Sequence, residues 1–214
     1  MEIEARILAQ AKRRFMQYGV RSITMDDLAK DLGISKKTIY QSFENKAAVV
    51  YQVTLSHFEE EKALMEEIAQ AAENALDELM RVCLWSYNAF KNISPNLPFE
   101  IRKYYPKSWK IIDDYMQVYV LEEVRNNLVR GQLEGLYREE INIDIVSRIR
   151  VSQFDMSIRE SFFPPDQFDN TRVQMEMFAH YIYGIVTEKG RKLLDAFFQE
   201  THLIDYLKSI DKDN

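Results

Sequence analysis

Residues 24–46 read TMDDLAKDLGISKKTIYQSFENK. Thr24 stands three residues before Asp27, the spacing at which a hydroxyl caps the free N–H groups of a new helix while the carboxylate reaches back. Met25, Leu28 and Ala29 then share one face, and Gly33 supplies the left-handed turn that costs least at glycine. Ser35 can cap a second short helix, in which Ile39 and Tyr40 begin the buried or DNA-proximal faces and Phe43 closes the unit. The stretch therefore predicts helix, tight glycine turn, helix: a helix-turn-helix of the DNA-binding kind. An ordinary helical hairpin has the same outline. Against it stand the cap-glycine-cap punctuation, the local positive charge and the hydrogen-bonding set Lys36, Lys37, Thr38, Gln41 and Ser42 on the second helix.

Charge is distributed accordingly. The 214 residues carry a net −6, which taken whole argues against a nucleic-acid partner. Residues 1–50, however, hold nine Lys and Arg against six Asp and Glu, a net +3, and the remaining 164 hold nineteen against twenty-eight, a net −9. One end is suited to a polyanion and the other keeps away from it. Six glycines and five prolines among many Leu, Ala, Glu, Lys, Met and Gln favour an all-α chain long enough to bury a sizeable core. The single cysteine, Cys83, excludes an internal disulfide framework and a cysteine zinc cluster, and its apolar setting VCLW makes it a core residue. No run of apolar residues is long enough for a membrane span, and the N-terminal charges are interleaved with apolar residues, so a cytoplasmic protein without membrane association is expected.

Around the central stretch, Ile3, Ile7, Leu8, Ala11 and Phe15 predict a first amphipathic helix stopped at Gly19. Asn45 can cap a long helix to about residue 71, with Lys46 in its first turn as a phosphate clamp. Further helices are expected over 75–90, through Arg102 to Tyr105-Pro106, over 107–134 with Gly131 weakening the last turn and Gly135 as the stop, over 143–162, and over 171–207, as one helix or as two with the break at Gly190. The boundary between a DNA-binding head and a larger helical domain is drawn between residues 46 and 47, giving 1–46 and 47–214.

The segment from Thr24 to Lys46 resembles the DNA-binding signature of the TetR family of bacterial regulators: the threonine cap, the acid pair, Leu-Ala, the Leu-Gly-Ile turn, the Ser cap, Thr-Ile-Tyr, and Phe-x-Asn-Lys at the entry to the fourth helix. That resemblance covers about the first fifty residues. It implies an all-α subunit of nine or ten helices with an N-terminal three-helix head, a larger ligand-binding and dimerisation domain, and a homodimer interface made by the last long helices, here 143–162 and 171–200. Ile145, Ile149, Phe154, Met156, Phe178, Tyr181, Ile182 and Ile185 are the apolar residues available there, divided between interface and core. The resemblance also implies backbone contacts to DNA from Thr24, Ser35, Tyr40, Ser42 and Lys46.

In the recognition helix, Lys36 and Lys37 lie in the first turn and Gln41 one turn later. Gln41 is suited to adenine, Thr38 to a thymine methyl, and Lys37 to guanine or phosphate. The expected function is a transcriptional regulator, a repressor released from a palindromic operator by a small lipophilic or aromatic effector. Trp85, Phe90, Tyr105, Trp109, Tyr115, Tyr119, Phe154 and Phe178 are the candidates to line its site, although aromatics at helical spacing also serve plain core packing. Two rival readings are a helical ligand-binding or adaptor protein that reads no DNA sequence, and an enzyme. For the enzyme, His57, His180, His202 and Asp113-Asp114 form no metal-spaced pair, nucleophile–base motif or phosphate loop, so no catalytic residue, metal or cofactor is expected. His57, beside Glu59-Glu60-Glu61, reads as part of a solvated face.

Overall fold

The computed structural model describes residues 2–159, 161–164 and 166–201. The end of the last expected helix, with His202, lies outside them. Eleven α-helices follow one another among the described residues: α1 (Glu2–Tyr18), α2 (Met25–Leu32), α3 (Lys36–Ser42), α4 (Lys46–Ala71), α5 (Ala75–Lys91), α6 (Leu97–Tyr104), α7 (Pro106–Asp114), α8 (Leu121–Leu133), α9 (Ile143–Ser157), α10 (Asn170–Ile185) and α11 (Glu188–Thr201). Tyr115–Val120, between α7 and α8, is a π-helical stretch. The expected helix over 107–134 is thus continuous but locally underwound, which hydrophobic periodicity cannot reveal because one inserted residue shifts the pattern only slightly. No helix among the described residues is long and apolar enough to cross a membrane.

The chain forms two compact units. The first comprises residues 1–66 and 88–119, the second 67–87 and 120 onward. Helices α4, α5 and the helix over 106–133 each contribute residues to both.

In the first unit, α1, α2, α3 and the start of α4 enclose Ile7, Ala11, Phe15, Val20, Leu28, Ile39, Val49 and Val50, all nearly or fully buried. Helix α6 packs on α1, so this packing unit is larger than the first 46 residues. The link is polar. The Arg21 backbone N–H donates to Glu100 Oε2 at 2.9 Å, and Ser94 N–H donates to the Met16 carbonyl at 2.6 Å. Gly19, with φ of 79°, lets that carboxylate approach closely: a Cβ there would lie 2.9 Å from Glu100 Oε2.

In the second unit the core gathers around Tyr137, whose ring is fully buried among Leu76, Met80, Leu128, Ile182 and Leu194. Its hydroxyl donates to the Ala75 carbonyl at 3.0 Å or to Asn127 Oδ1 at 3.1 Å, while Asn127 Nδ2 donates to the same carbonyl at 2.9 Å. The chain reaches this position by turning back on α8 through Gly135, with the N–H groups of Leu136 and Tyr137 both donating to the Gly131 carbonyl. Residues 136–138 then pair with 185–187 through an antiparallel bridge between Tyr137 and Val186.

Three sequence expectations differ from the structure. Gly131 is not a weak point of α8: a Cβ there would fall 2.0 Å from the Tyr137 ring, so glycine is what admits the ring. The last region breaks at Val186-Thr187, not at Gly190, because those residues leave helical geometry to join the bridge; Gly190 lies inside α11, where a Cβ would meet the Leu136 carbonyl oxygen at 2.3 Å. The helix expected over 143–162 ends earlier, at Ser157.

The apolar residues of α9 and α10 also separate. Phe178, Tyr181, Ile182 and Ile185 are buried within the unit, Phe154 and Met156 are half-buried, and Ile145 and Ile149 are exposed.

Candidate nucleic-acid interface

The local geometry of α2 and α3 is fixed by caps before any packing is counted. Thr24 Oγ1 accepts from Asp27 N–H at 3.1 Å and donates to Asp27 Oδ2 at 2.7 Å, while Thr24 N–H donates to Asp27 Oδ2 at 2.8 Å. These hydrogen bonds hold the Asp27 carboxyl below its ordinary value. Gly33 adopts φ 66°, ψ 31°, and its N–H and that of Ile34 return to the carbonyls at the end of α2. Ser35 then starts α3, its Oγ accepting from Thr38 N–H at 3.1 Å and lying 2.8 Å from Thr38 Oγ1. Ser35→Ala should therefore destabilise the protein by about 1 kcal/mol. A shift of the urea unfolding midpoint with unchanged slope is the expected record, and an unchanged midpoint counts against the cap.

Helix α3 turns Ile39 inward, wholly buried, with Phe43 behind it. Lys36, Lys37, Tyr40 and Gln41 point outward; Thr38 and Ser42 are half-buried. The outward residues form two files one turn long, Lys36–Tyr40 and Lys37–Gln41. The files differ in how free they are. Lys36 Nζ donates to Asp26 Oδ2 at 2.8 Å, which ties α3 to α2 and raises the lysine pKa. Lys37 and Gln41 have no side-chain partner among the described residues, and both heads are exposed.

Lys46 has a partner within the protein. Its Nζ donates to the Val20 carbonyl at 2.5 Å, and burial lowers its pKa. The ammonium is thus engaged in joining the start of α4 to the α1–α2 connection. Asn45 does cap α4, Oδ1 accepting from Ala48 N–H at 3.0 Å.

The aromatic candidates for an effector site fall in both units. Tyr105, Trp109, Tyr115, Tyr119 and Phe90 belong to the first, Trp85, Phe154 and Phe178 to the second. Tyr115 is buried, its ring 4.5 Å from Phe58 and stacked 5.3 Å from Tyr119, and its hydroxyl donates to Glu61 Oε1 at 3.0 Å. Arg102 lies over the Trp109 ring at 5.4 Å. Phe178 is core.

The reading of His57 as part of a solvated face is overturned. Glu59 and Glu60 are exposed, but His57 and Glu61 turn inward, His57 Nε2 lying 3.6 Å from Glu61 Oε2. One helical turn carries both residues to the same face, and the run of three acids hid that in the sequence. Burial pushes Glu61 up to about 7 and His57 down to about 4. As pH rises from the ordinary carboxyl value of 4.5 to 7, the unfolded chain loses the Glu61 proton first, so that group removes stability over this window. As pH falls from 6.5 to 4, the unfolded chain alone gains the His57 proton, so that group removes stability in the opposite direction. The two slopes oppose each other where they overlap. Glu61→Gln should leave only the histidine slope, so that its urea midpoint climbs from pH 4 to 6.5 more steeply than that of the parent chain; parallel curves would contradict the placement.

Comparisons with known proteins agree with this geometry. The sequence model of "Bacterial regulatory proteins, tetR family" matches residues 7–53. The chain is 28% identical over 116 residues to the HTH-type transcriptional regulator YvaF of Bacillus subtilis, an alignment covering 54% of this chain and 60% of that protein. It is 22% identical over 195 residues to the HTH-type transcriptional repressor KstR2 of Mycolicibacterium smegmatis, covering 87% and 92% of the two chains. Among solved structures, reduced NemR of E. coli shares the fold with a TM-score of 0.70 at 16% identity, over 87% of this chain and 98% of that one.

Proposed function

Since the chain belongs to the TetR family of bacterial transcriptional regulators, we propose that it is a repressor, a homodimer that holds a palindromic operator through two copies of α3 and leaves it when a small effector binds the larger helical part. The observation that carries this reading is the Lys37–Gln41 file: two unpaired, exposed hydrogen-bonding side chains on a short helix whose entry, turn and exit are all capped. A rigid helix presenting free donors and an amide is suited to major-groove base edges. Gln41 reads adenine, Lys37 guanine, and the Thr38 methyl packs towards thymine. Thr24, Ser35, Lys36, Tyr40, Ser42 and Lys46 frame the helix; of these, the exposed Tyr40 is best placed to touch phosphate, since Lys36 and Lys46 already have protein partners.

In this reading, residues 1–46 read DNA and 47–214 bind effector and partner. The dimer uses 143–162 and 171–200, where Ile145 and Ile149 on α9 and Leu193 on α11 are exposed apolar residues. The acidic remainder of the chain keeps that domain away from the duplex. An effector acts only by the difference in its affinity for the two states of the dimer. Footprinting on DNA flanking the protein's own gene, with and without lipophilic extracts, tests the proposal. A protected palindrome that opens in the presence of an extract fraction supports it, and no protected sequence at low salt overturns it. An adaptor would give the second result while remaining a dimer.

A further inference from the structure

Arg150 of α9 lies deep in the second unit, with protein on nearly every side of its guanidinium, yet the residue keeps accessible surface and so borders space as well as packed side chains. Its Nη1 donates to Gln153 Oε1 at 3.0 Å, and the rings of Phe178 and Tyr181 each stand 5.5 Å away. No carboxylate pairs with it among the described residues. Burial pulls its pKa down, and among the described residues the groups that favour its charge are the Tyr181 hydroxyl and the Cys83 thiol. Both are themselves pushed up by burial, Cys83 to about 12, and so stay neutral. A neutral amide, the rings of Phe178 and Tyr181 and a thiol therefore surround a full positive charge with no counter-ion among the described residues.

Buried charges are ordinarily paired, because taking an ion from water costs more than neutral neighbours return. An unpaired guanidinium kept in such a place fits a site completed by something from outside. It carries one unit of charge, so a monoanion balances it where a phosphate dianion leaves a surplus. Its Nε–Nη2 edge makes no hydrogen bond to a described residue, and that edge matches a carboxylate through two parallel N–H···O bonds. Phe178 and Tyr181, both nearly buried, make the surroundings of the guanidinium apolar, which suits an apolar molecule.

We propose that Arg150 anchors the carboxylate of an apolar organic acid, which is the effector. This rests on reading the larger helical part as an effector domain, and it names the effector's chemical class. The aromatic candidates drawn from the sequence carry no charge; Arg150 supplies the group that fixes orientation. Sequence reading passed it over because one arginine among many on a helix has no signal until its surroundings are known.

The test uses the full chain with dodecanoate, dodecanol, dodecylamine and dodecyl phosphate as probes, read by calorimetry and by thermal unfolding, for the parent protein and for Arg150→Met and Arg150→Lys. Dodecanoate should bind more tightly than the alcohol or the amine by roughly tenfold or more, the worth of a charge-assisted pair. Arg150→Met should lose that advantage and bind acid and alcohol alike, and Arg150→Lys should keep part of it. Without ligand, Arg150→Met should melt no lower than the parent, since an unpaired buried charge has been removed; a purely structural cation held by the two rings would lower it. The proposal is overturned by Arg150→Met binding dodecanoate as well as the parent does, by dodecanoate binding no better than dodecanol, by dodecyl phosphate binding best, or by a lower melting point for the ligand-free methionine variant. A protein that grips its operator but ignores dodecanoate loses only this site. One that binds dodecanoate through Arg150 yet shifts no DNA loses the repressor reading and keeps this one.

Discussion

Gln41→Ala and Lys37→Ala should each weaken operator binding by about 1–3 kcal/mol per half-site, and a symmetric dimer applies that loss twice. Both side chains are exposed on the outer face of α3 without a partner among the described residues, so no contact there offsets the loss of the DNA contact. The two differ in kind. Gln41→Ala removes an amide that reads a base, so the variant should bind the best duplex and its adenine-substituted counterpart alike. Lys37→Ala also removes a charge, so the slope of log affinity against log salt should flatten by about one unit per half-site wherever that lysine meets phosphate instead of guanine. Lys36→Ala should cost less, because Lys36 is already paired with Asp26. Fluorescence anisotropy on a duplex selected by the protein itself, at several salt concentrations, measures all three. A Gln41→Ala variant with unaltered affinity and base preference would remove α3 from the groove.

Gly131→Ala and Gly190→Ala should be the most destabilising single methyl additions in the second unit. In the first, the new Cβ would overlap the Tyr137 ring at 2.0 Å, and that ring is fully buried and held by its hydroxyl at Ala75 and Asn127. In the second, the obstacle at 2.3 Å is the Leu136 backbone carbonyl, which already accepts from Thr187 N–H. Neither can move without breaking the segment that joins α8 to α9. Overpacking of this kind costs about 1–3 kcal/mol and more where backbone must shift, or several degrees of melting temperature for a chain of this size. Both glycines press on residues 136–137, so the double variant should lose less than the sum of the two. Gly184→Ala is the control: nothing lies within 4 Å of its Cβ, and alanine favours the helix, so it should be neutral or slightly stabilising. Equal melting temperatures for all three variants would refute the packing assigned to Tyr137.

The helix-turn-helix was legible because its determinants are local. Thr24 to Asp27, Gly33 and Ser35 to Thr38 all act within four residues, and each adopts the geometry its spacing predicts. Helix starts at Asn45 and Asn142 follow the same rule. Legibility failed wherever a partner distant in sequence decided the outcome. Gly131 looked like a weak turn until Tyr137 was seen lying on it. Gly190 looked like a helix break until the bridge at Val186 was seen to end α10 earlier. Lys46 has the spacing of a phosphate clamp, and only the fold shows that one of its N–H groups also reaches the Val20 carbonyl, 26 residues away. His57 was hidden by an acidic run of which only Glu61 turns inward beside it.

Sequence alone determined the all-α character, the position of the helix-turn-helix, and the separation of positive head from negative remainder. Propensity, capping and net charge act through neighbours along the chain, so they are written where they act. Tertiary structure decided which cations are already engaged, which apolar residues of α9 and α10 belong to the core, and that the Arg150 guanidinium has no counter-ion among the described residues. Those outcomes depend on what the fold brings within a few ångströms, and the energy of a charge or a methyl group is set by that company and not by its place in the chain.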